Sequence, residues 1–248
     1  MIRAGILLIA LLLPLPLMAQ TAEEPPAQPS ERELVLNGFR LLVDNEARPF
    51  FGLPLETFWR REGTLELALL ADDHRALEPV LEGAAAPFAA VSGRDIAVSE
   101  AGPAEIAGRS RDGLAPEAEL VIVIAPRPAL AQFAADNDFN LGMLAYFEQG
   151  SWPFMFRFQQ DERRRGIVLL ADDEPARARE ASFILATVWA LGGVTLGPEL
   201  SGLVSDSADG PQLTPRGQSV FRLFFHESLE VGMPIAEAVR RAETLLPR

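Results

Sequence analysis

The period of the hydrophobic pattern changes several times along the chain, and each change marks an element. From Glu31 to Asn45, the residues Leu34, Val35, Phe39, Leu42 and Val43 recur at helical spacing, which predicts an amphipathic helix. Thr64 to Ala71 alternates instead, as a strand does, and Asp72-Asp73 then opens a helix that Pro79 is expected to bend. Arg94 to Ser99 reads as a weaker strand. Leu120-Val-Ile-Val-Ile-Ala125 is β-branched and apolar on both faces, so it belongs at the centre of a covered sheet. Its exit through Pro126 and Pro128 leads into a short helix ending near Phe139.

Trp152 to Phe158 alternates aromatic and other residues, and Gly166 to Ala171 beyond the charged turn Asp161 to Arg165 is its expected antiparallel partner. Glu174 to Gly192 then reads as one long helix with a Gly-Gly stop. From Phe183 to Leu191 that helix is apolar all round, which requires burial. A Gly/Ser/Asp loop follows to Pro211. Thr214-Pro215 caps a helix expected to reach about Leu229, and Pro234 begins the last one. The class predicted is α+β, with a mixed sheet packed on several helices and a long buried helix at about 174–192.

Composition adds an address. Met1-Ile-Arg3, an apolar core from Ile6 to Leu17 and Leu17-Met-Ala19 together read as an export signal peptide cut after Ala19. The apolar run is interrupted by Pro14 and Pro16 and falls short of the roughly 20 residues that span a bilayer, so no stable membrane anchor is expected after cleavage. Gln20 to Ser30, with Pro25, Pro26 and Pro29, is too polar and Pro-rich to fold alone and reads as a tether. Residues 31–248 are expected to form one α+β domain, for which 48 % hydrophobic residues provide ample core. The chain holds 0 Cys, which removes disulfides, thiolate metal sites and a lipidated leader. Formal charge is −13, becoming −14 if Arg3 leaves with the signal, and so acidic a chain is not expected to bind nucleic acid. Periplasmic residence or secretion is the expected location.

Candidate chemistry is sparse. Ser182 to Gly193 has the outline of a zincin active-site helix, where two His four residues apart hold a metal and a Glu serves as general base. Those places hold Leu185, Ala186 and Trp189, none of which binds zinc or moves a proton. His226-Glu-Ser-Leu-Glu230 imitates a zinc signature, and His226 and Glu230 would share a helix face if the helix ran that far. Two such ligands fall short of the three that a catalytic zinc site keeps. Leu69-Leu-Ala-Asp-Asp-His74 and Leu169-Leu-Ala-Asp-Asp-Glu174 form an internal echo, each closing a strand and opening a helix. Asp there serves the first turn as a cap. The sharper alternative puts Asp72, Asp73, Asp172 and Asp173 at one sheet edge around a hard cation such as calcium. His74 lacks a nucleophile elbow to serve, and Ser92-Gly93 and Ser201-Gly202 read as turns.

From Gly166 onward the chain resembles the secreted bacterial family called domain of unknown function 2927. The matching pieces are Gly166-Ile-Val-Leu-Leu170, Ser182 to Gly193, Leu213-Thr214-Pro215, Phe221 to Phe225 and Gly232-Met233-Pro-Ile-Ala236. The helix around Phe39, the step Phe58-Trp59-Arg60 and the strand Leu65 to Ala71 follow the family's first half. The resemblance implies a zincin-like fold and no defined activity. The family's helix shows Cys, a Glu pair and Gln, and here those positions are Ser182, Leu185, Ala186 and Trp189.

The expectation is therefore an exported, non-catalytic protein of metallopeptidase-like fold that engages an envelope protein or peptide and needs no cofactor. The alternative is a metal-dependent hydrolase drawing zinc or calcium ligands from His226, Glu230 or the acidic turns. The aromatic strand Trp152, Phe154, Phe156, Phe158 is expected to pack against the long helix or, as an open edge, to receive a peptide or glycan.

Overall fold

A computed structural model of the protein describes residues 29–43, 56–139, 154–160, 163–193, 202–207 and 210–247. The expected leader and most of the tether lie outside these residues. Helices are α1 (Glu31–Val43), α2 (His74–Ser92), α3 (Arg127–Asp136), α4 (Ala176–Leu191), α5 (Pro215–Phe224) and α6 (Ile235–Leu245). Strands are β1 (Leu65–Ala71), β2 (Ile96–Gly102), β3 (Leu120–Ala125), β4 (Phe154–Gln160), β5 (Arg163–Ala171), β6 (Val204–Ser207) and β7 (Gly210–Leu213).

The main sheet is five-stranded in the order β2-β1-β3-β5-β4, and only β4 runs antiparallel, against β5. The class is α+β with a mixed sheet, as the hydrophobic pattern required. Every residue of β3 is buried. A strand apolar on both faces has to be covered on both, and alternate residues of the central strands enter two separate cores. Leu67, Leu69, Ile122 and Val168 join α1, α2, α4, α5 and α6 on one face. Leu70, Val121, Val123 and Leu169 meet Leu130 and Phe133 of α3, with Ile106 and Leu114, on the other.

Two expectations are corrected. The helix predicted to reach Leu229 ends at Phe224, because the carbonyls of Phe224 and His226 accept hydrogen bonds from Nη1 of Arg60, at 2.8 and 3.0 Å. That partner lies 164 positions away and leaves no trace in the local spacing. The polar loop before Pro215 contains a hairpin, β6 paired with β7, which is seated by buried Leu203 and Leu213 rather than by any alternation of its own. Thr214 does cap α5, its Oγ1 accepting from the Gly217 amide at 2.9 Å.

The beginning of β5 serves both cores. Arg165 is 2 % exposed, and its guanidinium donates to the carbonyls of Ala118 at 2.7 Å and Leu114 at 2.8 Å, and also to Ala115, fastening the loop that enters β3. The next residue faces the other way. Gly166 lies under the Trp189 indole of α4, and any Cβ at that position would overlap the ring.

Gly166→Ala should therefore destabilise the protein by about 1–3 kcal/mol through overpacking. In a Trp189→Leu background the same change should cost much less, as read from urea unfolding of the four combinations. Additive effects would show that the indole is not what excludes a side chain at 166.

Candidate functional site

Three parallel strands end side by side. β1 exits through Ala71-Asp72-Asp73 into α2, β3 through Ala125-Pro126 into α3, and β5 through Ala171-Asp172-Asp173-Glu174-Pro175 into α4. Ala71 is in register with Ile124, and Ala125 with Ala171. The two halves of the sequence echo thus share one sheet edge, two strand spacings or about 10 Å apart. Because α2 and α3 leave to opposite faces, the gap between β1 and β3 is a switch point, the place where open sheets of this kind hold ligands.

Arginines occupy this edge with the aspartates. Arg127, the first residue of α3, donates from Nε to both carboxylate oxygens of Asp173 at 3.1 Å, and from Nη2 to Oε1 of Glu174 at 2.8 Å. The hydrogen bond from Arg127 holds the Asp173 carboxyl below its ordinary pKa, and the same contact raises that of Arg127. Arg179 of α4 reaches Asp73 across the edge at 3.6 Å. Asp72 and Asp172 point to solvent. Among the described residues no three His, Asp or Glu side chains converge as metal ligands.

The capping role expected for these aspartates is corrected. Asp73 stands at the N-cap of α2 but its side chain makes no cap hydrogen bond, and its carbonyl receives the Ala76 amide at 2.9 Å instead. At α4 the N-cap is Pro175. The carboxylates of Asp73 and Asp173 turn to guanidinium charges brought from neighbouring elements, a stronger attraction than a neutral N–H supplies. Sequence reading missed Arg127, Glu174 and Arg179. The one visible signal was an Arg between two prolines at the exit of the strongest strand.

The helix α4, on which the expected zincin positions fall, is core from Ser182 to Leu191. Leu185 is 8 % exposed, Ala186 0 % and Trp189 2 %. Its two hydroxyls are spent within the helix, Ser182 Oγ on the Ala178 carbonyl and Thr187 Oγ1 on that of Phe183, each at 2.8 Å. His226 and Glu230 share no helix face, since both follow the end of α5. The Ser228 amide donates to Nδ1 of His226 at 3.2 Å, and Glu230 faces Arg241 at 3.8 Å. His74 Nδ1 lies 2.9 Å from the Ala71 carbonyl, a strand-to-helix contact with no nucleophile in it. Of the aromatic stripe, Phe154, Phe156 and Phe158 fall on β4, while Trp152 and the side chains of these three Phe lie outside what is described. No helix among the described residues is long and apolar enough to cross a membrane.

Arg127→Ala should bring the Asp173 carboxyl back up to its ordinary titration range, read by carbon NMR of the side-chain carboxyl against pH. A depressed folded-state pKa stabilises above the unfolded pKa and is lost as pH falls through the lower, folded value. The variant should accordingly lose less stability on acidification than the parent chain, and an unshifted Asp173 titration would exclude Arg127 as the cause. No protein-family model, curated protein or solved structure matches this chain.

Proposed function

We propose that the protein is an exported, non-catalytic binding module of the cell envelope, built on a zincin-like scaffold whose active-site helix has become part of the core. The observation that carries this reading is the placement of Leu185, Ala186 and Trp189. The three positions where a zincin helix needs ligand, base and ligand are packed with apolar side chains against the sheet. Burying a large side chain stabilises by about 1.5–3 kcal/mol, so selection for packing is sufficient to account for Leu185 and Trp189. The resemblance of the chain's second half to the family of unknown function 2927 agrees, and the leader-like N-terminus supplies the route to the envelope.

The partner surface that fits this reading is β4. Among the described residues it is the outermost strand of the sheet, antiparallel to β5, and β5 leads directly into α4. An edge strand offers a row of backbone donors and acceptors to which an extended peptide adds as a further strand, with affinity from the main chain and selectivity from alternate side chains.

Metal analysis by plasma mass spectrometry tests the non-catalytic half. The purified protein should retain no stoichiometric zinc or calcium after incubation with each, and stoichiometric retention would return the hydrolase reading. Hydrogen exchange tests the other half. Peptides selected on the protein should slow exchange of the β4 amides, and protection confined to other elements would move the binding surface elsewhere.

A further inference from the structure

Most guanidiniums that matter to this fold have acidic partners. Arg61 faces Glu119 at 3.9 Å, Arg127 holds Asp173 and Glu174, and Arg179 reaches Asp73. In a chain with 35 acidic and 22 basic residues, a carboxylate for each Arg is easily found. Arg165 meets backbone carbonyls instead, and Arg60 and Arg94 differ from it in that each keeps an enclosed Nε without a partner. They lie at the opposite end of the sheet, where the segment before β1 and the turn before β2 meet the end of α5.

Arg60 is 6 % exposed. Its Nη1 is taken by the carbonyls of Phe224 and His226, and its Cζ lies 5.7 Å from the centroid of the Phe58 ring. Its Nε is enclosed without a hydrogen-bond partner. Arg94 lies over the adjacent Phe225 ring, 5.3 Å from the centroid, with Nη1 at 3.5 Å from the Gly63 carbonyl. Its Nε is likewise enclosed and unmatched. Among the described residues no carboxylate is within ion-pair distance of either guanidinium.

The two cations are gathered at the same helix end, one on the Phe224 and His226 carbonyls and one on the Phe225 ring. Burial first, and then the charge of Arg94, depress the pKa of Arg60, while Glu62 acts the other way. Like charges held together at a desolvated position favour an anion between them. The carbonyls of the helix end account for one nitrogen of Arg60 as a C-terminal cap. They leave the unmatched Nε atoms and the company of Arg94 unexplained. Gly63 and Gly93, the turn glycines on either side, are exposed and Arg94 is half-buried, so the pair is approached from solvent on this side.

We infer that Arg60 and Arg94 form a binding site for one oxyanion group, a carboxylate or a phosphoryl group, where the exposed turns of Gly63 and Gly93 meet Phe225. A planar guanidinium matches both groups through paired N–H donors, which a solitary ammonium does not. The site is independent of β4 and of helix α4, so it stands or falls separately from the binding-module reading.

The experiment titrates the purified protein with sodium phosphate and, separately, with sodium acetate, at ionic strength held constant with sodium chloride. One or both anions should raise the unfolding midpoint by about 3 to 6 °C at roughly ten times the Kd. The same titration should move the Arg60 Nε–H resonance, a response a pure helix cap has no reason to give. A response to phosphate alone assigns the site to phosphoryl ligands, and one to acetate alone assigns it to carboxylates. Arg94→Gln, at a half-exposed position that leaves the core intact, should weaken binding about tenfold or more, the loss of one charge-assisted contact. Arg94→Lys, which keeps the charge without the fork, should fall between. No response beyond that to chloride, or an equal response in Arg94→Gln, would overturn the inference.

Discussion

Two neighbouring residues at the start of β5 hold the molecule together from both sides. Arg165 reaches one way, into the carbonyls of the loop that delivers β3, and Gly166 opens the other way to receive the indole of α4. The side-chain alternation of a strand makes this possible, since consecutive positions face opposite cores. The seating of α4 fixes much else. From Ser182 to Leu191 the helix is buried all round, so this stretch has no face left on which to display polar chemistry. The apolar composition of this stretch and its close docking on the sheet are two descriptions of one packing solution.

Much of the architecture was legible because it is written in local periodicity. β3 was placed at the centre from six residues without a polar atom in their side chains, and α4 was recognised as buried from its unbroken apolar stretch. What escaped has a common physical cause. The early end of α5 depends on Arg60, and the β6–β7 hairpin on buried flanking leucines, and both are long-range effects on segments whose own pattern is ambiguous. At the carboxyl edge the two Asp-Asp turns do lie together, the placement that only the cation alternative required, while the capping read from the echo is not what the side chains do. The echo could not show that arginines from α3 and α4 stand between the turns, because guanidinium partners are chosen by the fold and not by spacing.

The two ends of the sheet are electrostatically unlike. At the carboxyl end, Arg127 and Arg179 draw three carboxylates into a strap across the strand exits, so each charge meets its opposite. The pairs made by the exposed Asp173 and Asp73 contribute little stability and chiefly fix how the turns lie, whereas Glu174 is buried. At the amino end, Arg60 and Arg94 are confined beside rings and carbonyls, which soften a positive charge without neutralising it.

The contact between α1 and α5 carries a kinetic consequence. The first helix buries Val35, Leu36, Phe39 and Leu42 in a core it shares with Val220, Phe221 and Phe224, nearly two hundred positions later. The parallel neighbours β1 and β3, and then β3 and β5, are likewise separated by whole helices. Pairings of high sequence separation form slowly, because loop closure precedes the gain from contact. As the chain emerges from the ribosome, α1 has no place to dock until α5 has been made. The core that joins these elements is therefore completed late, when most of the chain has already been made.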